Sequence, residues 1–361
     1  MIRVPEYLFG SIIFERFTAD LTLFGLACIF SFRMKTLRWP LLAIFFMLAV
    51  ADCLAAGHSD LVASKPLYRD PVYNGATDPT LIWNPLVKRW WMYYTSRRAN
   101  VPGLSGAAWI HGTPIGIAES ADGGASWKYV GMAQIDLPPE YGGADVTEWA
   151  PDVRRAPDGT WQMFLTVVPG IFENWDHPRD IVQLTSTDML HWTNPRKISL
   201  ASDRVIDASI LHMPDGSWRM WYNDERARKS INYADSPDLM HWTDKGLAFP
   251  SHGEGPKGFR WHRKFWVIVD EWMGLAVYRS EDASHWSKQP ENLLAGKGKG
   301  EDDQAQGDHC DVVVSGHRAF LFYFTQMGRR CSIQVVELRI KDGWLTADRD
   351  QPTHIRLLPE E

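Results

Sequence analysis

The feature that most constrains this 361-residue chain is one pattern that returns five times. Five segments align: DPTLIWNPLVKRWWMYYTS from Asp78, DVRRAPDGTWQMFLTV from Asp152, DASILHMPDGSWRMWYND from Asp207, EGPKGFRWHRKFWVIVDE from Glu254 and DVVVSGHRAFLFYFT from Asp311. Each opens on an acid, continues as a short strand of alternating apolar residues, turns (Pro-Asp-Gly in two cases) and returns as an aromatic strand. A third strand follows in each unit: IGIAES, IVQLTS, INYADS, LAVYRS and IQVVEL. A turn and a Trp-led fourth strand close it: SADGGASW, STDMLHW, SPDLMHW, SEDASHW and, more loosely, KDGW. No useful helical periodicity appears. A four-stranded antiparallel unit repeated radially is a propeller blade. The expected fold is therefore all-β, a five-bladed β-propeller of four-stranded antiparallel blades over roughly residues 66–361.

That architecture sorts the remaining residues. The first strand of each blade lines the central channel, so an acid at its start places Asp78, Asp152, Asp207, Glu254 and Asp311 around one mouth. Crowding like charges is unfavourable and raises some pKa values, so folding alone gives no reason for it. Loops between second and third strands border the same mouth: Thr95–Thr113, Val167–Asp180, Asn223–Ser230, Asp270–Gly274 and Thr325–Cys331. The first two are longest and carry Arg97, Arg98, Trp109, His111, Trp175 and His177, candidates for ligand contacts. The turn from Ser120 to Trp127 matches the Asp-box of sialidases, where Ser and Asp close a turn by local side-chain to backbone bonds. Trp127, Trp192, Trp242 and Trp286 recur at one blade position and are expected to be structural wedges.

Composition narrows the function. A net charge of −6 without a basic block argues against a nucleic-acid partner. Eighteen Trp fit a sugar-stacking all-β protein. From Met34 the chain reads MKTLRWPLLAIFFMLAVADCLAAG, a basic stretch, an apolar run and small residues at Ala49–Ala51 or Cys53–Ala55. This predicts a signal peptide over 34–56, export to the periplasm or the medium, an upstream extension over 1–33, a catalytic domain over 57–361, and no stable membrane partner after cleavage. Asp52 before Cys53 fits a lipoprotein site poorly. Cys310 and Cys331 lie near neighbouring strands and could pair in an oxidising compartment or remain buried thiols.

Paired carboxylates in a Trp-rich concavity suit glycoside hydrolysis: one acid protonates the leaving oxygen, another activates water or attacks carbon, and a third orients the first. No GxSxG elbow, HExxH, CxxC pair or phosphate-type glycine loop is present.

At these residues the chain resembles glycoside hydrolase family 43. Asp78-Pro79, WAPDV from Trp149, IDAS from Ile206 and EGP from Glu254 come in that family's order, each at the start of a blade. The resemblance covers nearly the whole mature chain. It implies a five-bladed propeller of inverting hydrolases acting mostly on α-L-arabinofuranosides and β-xylosides, hence an oligo- or polysaccharide substrate. It makes Asp78 the general base, Glu254 the general acid and Asp207 the residue that tunes and orients Glu254. Asp152, with Trp149, would help shape the sugar site, joined by Trp109, His111, Trp175 and Arg98 from the loops. GDHCDVV resembles the fifth-blade segment that places a histidine near a central calcium or water. His309 is thereby a candidate metal ligand and Ca²⁺ a candidate structural ion in the channel, although Cys310 and Asp311 depart from the commonest form; no cofactor is required. Asp70 in YRDP is a rival for the base, because related fructan-cleaving propellers use RDP for another carboxylate. That motif follows their first catalytic Asp by a blade, whereas Asp70 precedes Asp78 by eight residues.

Other readings fit the same fold. A galactofuranosidase, a β-xylosidase or a fructan-active enzyme would differ in loop residues. A phosphorylase would need a cationic pocket, for which Arg97, Arg98, Arg329 and Arg330 are available. A non-catalytic sugar-binding propeller would show no turnover.

Overall fold

The computed structural model describes residues 60–359. The leader over 34–56, the segment 1–33 and Cys53 lie outside the described residues.

Five antiparallel sheets follow one another along the chain, and each is built from consecutive strands. Blade 1 comprises Ala76–Asn84, Arg89–Ser96, Ile115–Ser120 and Lys128–Met132; blade 2 comprises Thr147–Arg155, Trp161–Val168, Asp180–Ser186 and His191–Lys197. Blade 3 comprises Val205–His212, Trp218–Asp224, Ser230–Ser236 and Thr243–Leu247. Blade 4 comprises Glu254–Trp261, Lys264–Asp270, Leu275–Ser280 and the short Ser287–Lys288; blade 5 comprises Asp308–Ser315, Arg318–Met327, Arg330–Lys341 and Trp344–Ala347. Blade 2 gains a fifth strand, Gln134–Ile135, parallel to its outer edge.

The cores lie between blades. Ile82, Trp91 and Tyr93 of blade 1 pack on Val153, Trp161 and Met163 of blade 2. Blades 2 and 3 share Phe164, Ile181, Ile210 and Met220. Blades 3 and 4 share Trp221, Ile231, Val267 and Val269. Blades 4 and 5 share Trp266, Ile268, Leu321 and Val336. Leu81, Trp90 and Met92 of blade 1 meet Phe320, Phe322 and Ile333 of blade 5. Five seams between five blades close the ring. Trp127, Trp192, Trp242 and Trp286 each sit in or against one of these seams, as the repeat predicts, and Trp344 fills the equivalent place in blade 5. Burying one such indole contributes roughly 4–6 kcal/mol of transfer free energy.

The seam between blades 5 and 1 carries an extra clasp. Leu61–Val62 pair antiparallel with His354–Ile355, and Leu357 N–H donates to Gly123 O in the Asp-box turn. That turn is built as its sequence predicts. Gly124 N–H donates to Ser120 Oγ, Ala125 and Ser126 N–H donate to Asp122 Oδ1, and Trp127 Nε1 donates to Gly124 O. Cys310 and Cys331 are buried free thiols. Burial pushes both thiol pKa values up, that of Cys331 to about 12.

The first strands share an irregularity that positions the chemistry. In blades 1–4 the register with the second strand slips over two residues: between Thr77 and Thr80, Trp149 and Asp152, Ile206 and Ser209, and Glu254 and Lys257. The first residue inside each slip has a left-handed backbone: Asp78 (φ 49°), Ala150 (45°), Asp207 (61°) and Gly255 (55°). Such a bulge re-aims a side chain, and Asp tolerates the left-handed region better than most residues.

Candidate active site

The bulge divides the five expected acids into two layers. Asp78 and Asp207 occupy the left-handed position itself, and Glu254 stands one residue before it. Asp152 falls deeper, the first paired residue after its slip like Thr80, Ser209 and Lys257, and Asp311 follows Cys310, where the pairing of blade 5 resumes. The single ring of five acids expected from the repeat is therefore corrected: three carboxylates reach the mouth and two face the channel below. The cause is the slip, which makes equal distances from the strand start unequal in space.

The lower layer is neutralised. Lys257 Nζ lies 3.2 Å from Asp152 Oδ2 and 2.6 Å from Asp311 Oδ1, and Arg154 Nη2 lies 2.9 Å from Asp152 Oδ2. Leu81 N–H from blade 1 donates to Asp311 Oδ2 at 2.6 Å. Asp152 thus ties blades 2 and 4 together and does not line the mouth cavity.

The mouth cavity holds about 440 Å³. First-strand residues Asp78, Trp149, Ile206, Asp207 and Glu254 line it, with His309 from blade 5. The loops between second and third strands supply Arg97 and Ile110, Trp175 and Arg179, Glu225 and Lys229, and Trp272. Asp78 accepts from Thr77 Oγ1 at 3.0 Å, and its Oδ1 lies 3.6 Å from Arg97 and 3.5 Å from His309 Nδ1. Asp207 Oδ2 accepts from Gly255 N–H at 2.9 Å, which fixes it against the backbone that carries Glu254. Glu254 is more open, at 28% side-chain exposure, and its Oε2 accepts from Lys229 Nζ at 3.0 Å.

Burial, then Glu254, then Asp78 raise the pKa of Asp207 well above the usual carboxylate range. Two further acids behind Glu254 were missed from sequence. Asp270 pairs across the hairpin from Glu254, and its pKa is raised by burial, Asp308 and Glu254. Burial, then Glu254 and Asp78, raise the pKa of Asp308 to about 6. Burial outweighs the neighbouring carboxylates at His309 and lowers its pKa, favouring the neutral ring. A Cβ on Gly255 would stand 2.6 Å from His309 Cγ. The glycine therefore makes room for the imidazole.

Among the loop candidates, Trp149 and Trp175 line the cavity, 6.0 Å apart between ring centroids, and Trp175 is 51% exposed. His111 is fully buried behind them, 5.0 Å from Trp149; burial and nearby Arg179 lower its pKa to about 4. His177 stacks on Phe172 at 3.4 Å. Trp109 belongs to the core at the blade 5–blade 1 seam, and Arg98 turns into its own loop to donate to Ala108 O. Arg98, Trp109, His111 and His177 do not line the cavity. Arg179, Lys229, Glu225 and Trp272 do, from the mouth loops of blades 2, 3 and 4. Asp70 is no rival in this geometry. It is buried away from the cavity, accepting from Val72 N–H, Tyr73 N–H, Tyr94 Oη and Ser96 Oγ.

The channel residues do not fit a calcium ion. That ion takes six to eight oxygens, whereas here the two channel carboxylates already share an ammonium. His309 faces Asp78 and Asp207, and among the described residues no group of three or more His, Cys, Asp or Glu is arranged to hold a metal. Of the four arginines named for a phosphate pocket, Arg97 alone lines the cavity, whereas Arg98 donates to Ala108 O, Arg329 to Leu104 O and Arg330 to Asp302; the cavity's other cations, Arg179 and Lys229, are paired with Glu225 and Glu254.

No protein-family model and no curated protein matches the chain. Solved structures do. A thermostable family-43 glycoside hydrolase is similar at 20% identity and TM-score 0.59, over 81% of this chain and 98% of that one. A family-43 β-1,3-galactosidase with galactodeoxynojirimycin is similar at 15% identity and TM-score 0.60, over 81% and 100%. A β-xylosidase/α-arabinofuranosidase from a compost microbial metagenome, in complex with xylotriose and calcium-free, is similar at 12% identity and TM-score 0.59, over 79% and 98%. These likenesses bear out the five-bladed propeller.

Proposed function

We propose that the chain is an inverting glycoside hydrolase of family 43 that cleaves furanosidic or pentosidic linkages in an oligo- or polysaccharide, with α-L-arabinofuranosides as the preferred class. The observation that carries this is the convergence of Asp78, Asp207 and Glu254 on one cavity flanked by Trp149, Trp175 and Trp272. The structural neighbours support it: their names include galactosidase, xylosidase and arabinofuranosidase. The basic and apolar leader over 34–56 supports a place outside the cytoplasm.

In this reading Asp78 takes a proton from water as the water attacks the anomeric carbon, and Glu254 gives a proton to the departing oxygen. Arg97 and His309 hold Asp78 in place. Asp207 has its Oδ2 tied to the Gly255 N–H, which turns it toward the backbone of Glu254. It acts on Glu254 through the Gly255 N–H, and the Glu254 charge in turn helps to raise the pKa of Asp207.

A panel of p-nitrophenyl arabinofuranoside, xyloside and galactofuranoside tests the sugar. Proton NMR of the first product tests the stereochemistry; inversion is expected, and a retained anomer overturns the single-displacement reading. Glu254→Ala is expected to lose about 10²–10⁴-fold on unactivated glycosides and far less on the aryl ones. Equal loss on both counts against Glu254 as the acid, and absence of turnover across the panel favours a sugar-binding propeller.

A further inference from the structure

The most unexpected neighbour of Glu254 is Lys229. Its Nζ stands 3.0 Å from Glu254 Oε2 and 3.1 Å from Glu225 Oε1, between two carboxylates that both line the cavity. It also lies 5.0 Å from the centre of the Trp272 ring, which attracts a cation. Glu225 is held in turn by Arg179. The loop that delivers Lys229 is short and strained: Glu225–Ala227 form one 3₁₀ turn capped by Asp224, and Arg228 and Lys229 are both left-handed, at φ 58° and 54°. Two successive non-glycine residues in that region cost free energy, and such strain gathers at functional sites.

A proton donor must be neutral when it acts, and an ammonium at hydrogen-bond distance favours the charged carboxylate. Resting Lys229 thus opposes the role assigned to Glu254, and it also occupies one of the two oxygens through which Glu254 can reach a leaving group. Its second partner is already in place. We propose that Lys229 is a positioning residue that gates the acid: it rests on Glu254 in the empty site, and passes to Glu225 when a sugar is seated, leaving Glu254 free to take up a proton and donate it. This rests on the glycosidase reading above and deepens it. As Lys229 leaves, Glu254 takes one proton from solvent; that proton goes to the leaving oxygen as the glycosidic bond breaks, and the attacking water gives its own proton to Asp78. The other groups facing Glu254 are Asp207 from blade 3, Asp270 from its own blade, Asp308 and His309 from blade 5, and Asp78 and Arg97 from blade 1. None of these stands between two acids at hydrogen-bond distance as Lys229 does. Burial works against the charge of Lys229, but Glu254 and Glu225 outweigh it and raise its pKa, so it remains a cation through the working range.

The test is the pH profile of kcat/KM, which reports the free enzyme, against that of kcat, which reports the complex. Both are measured on the disaccharide of whichever panel sugar is turned over. In the native enzyme the alkaline limb of kcat/KM is expected at lower pH than that of kcat. In Lys229→Met it should rise by about one pH unit or more toward the kcat limb, while Lys229→Arg, which keeps a cation, should hold the native profile. A Lys229→Met protein with native circular dichroism and an unmoved limb overturns the gate; a merely structural lysine would change stability or kcat and leave the limb alone. Glu254→Gln separates the two ideas. If it keeps disaccharide activity, the assignment of Glu254 falls, whatever Lys229 does.

Discussion

The two layers of the channel use the same residue types and reach opposite states. In the lower layer Asp152 and Asp311 are matched by Lys257 and Arg154, and every one of these ion pairs crosses or braces a first strand. In and around the mouth Asp78, Asp207, Glu225, Glu254, Asp270 and Asp308 outnumber Arg97, Arg179 and Lys229, and three of these acids are pushed upward in pKa. Burial alone does not separate the layers, because both are buried. Charge balance does. A balanced buried layer holds strands together; an unbalanced one keeps protons available at neutral pH, as a site for acid and base chemistry requires.

The comparison can be broken at several points. The largest expected effect is at the mouth. Asp78→Ala should lose about 10²–10⁴-fold on aryl and natural glycosides alike, with an unchanged urea midpoint; a spared aryl substrate would move the base elsewhere. Next comes the lower layer. Lys257→Met leaves buried Asp311 without a cation and Asp152 with Arg154 alone, and should destabilise by about 3–5 kcal/mol, read from urea unfolding, while the folded fraction keeps its kcat/KM within a few-fold. Native stability in that variant would show that the layer does not depend on its ion pairs. The smallest effect sharpens the contrast from outside. Glu148, beside Trp149 but turned away from the cavity, is raised from 4.5 to about 8 by burial. Its folded pKa is above its unfolded one, so its favourable contribution is present below about pH 4.5 and is lost as pH rises to about 8. Glu148→Gln should flatten the fall in unfolding midpoint between pH 5 and pH 8, by a few kcal/mol at most, without changing turnover. A loss of turnover would extend the mouth layer to Glu148.

Much of this was legible in the sequence because a propeller writes its blades one after another. The Trp-led fourth strands, the Asp-box turn and the five mouth loops follow from the repeat alone. The layers were not legible. An acid at the start of each repeat reads as one ring until the backbone slip is known, and that slip lies in φ angles at Asp78, Ala150, Asp207 and Gly255, four positions with three residue types. Nor does loop length indicate which side chains face inward. The long loops of blades 1 and 2 hold Trp109, Arg98 and His177 in their own packing while presenting Arg97 and Trp175 to the cavity, whereas the short blade 3 loop presents Glu225 and Lys229 from either end of one 3₁₀ turn.

The clasp of Leu61–Val62 with His354–Ile355 has a consequence for how the molecule fails. It secures the seam between blades 5 and 1, and that seam runs through the mouth, with Asp78 on one bank and His309 on the other, 3.5 Å apart. Widening by a single ångström would leave every sheet hydrogen-bonded and still part this pair. Turnover is thus a strain gauge for ring closure, one that registers a loosened seam before any blade has begun to melt.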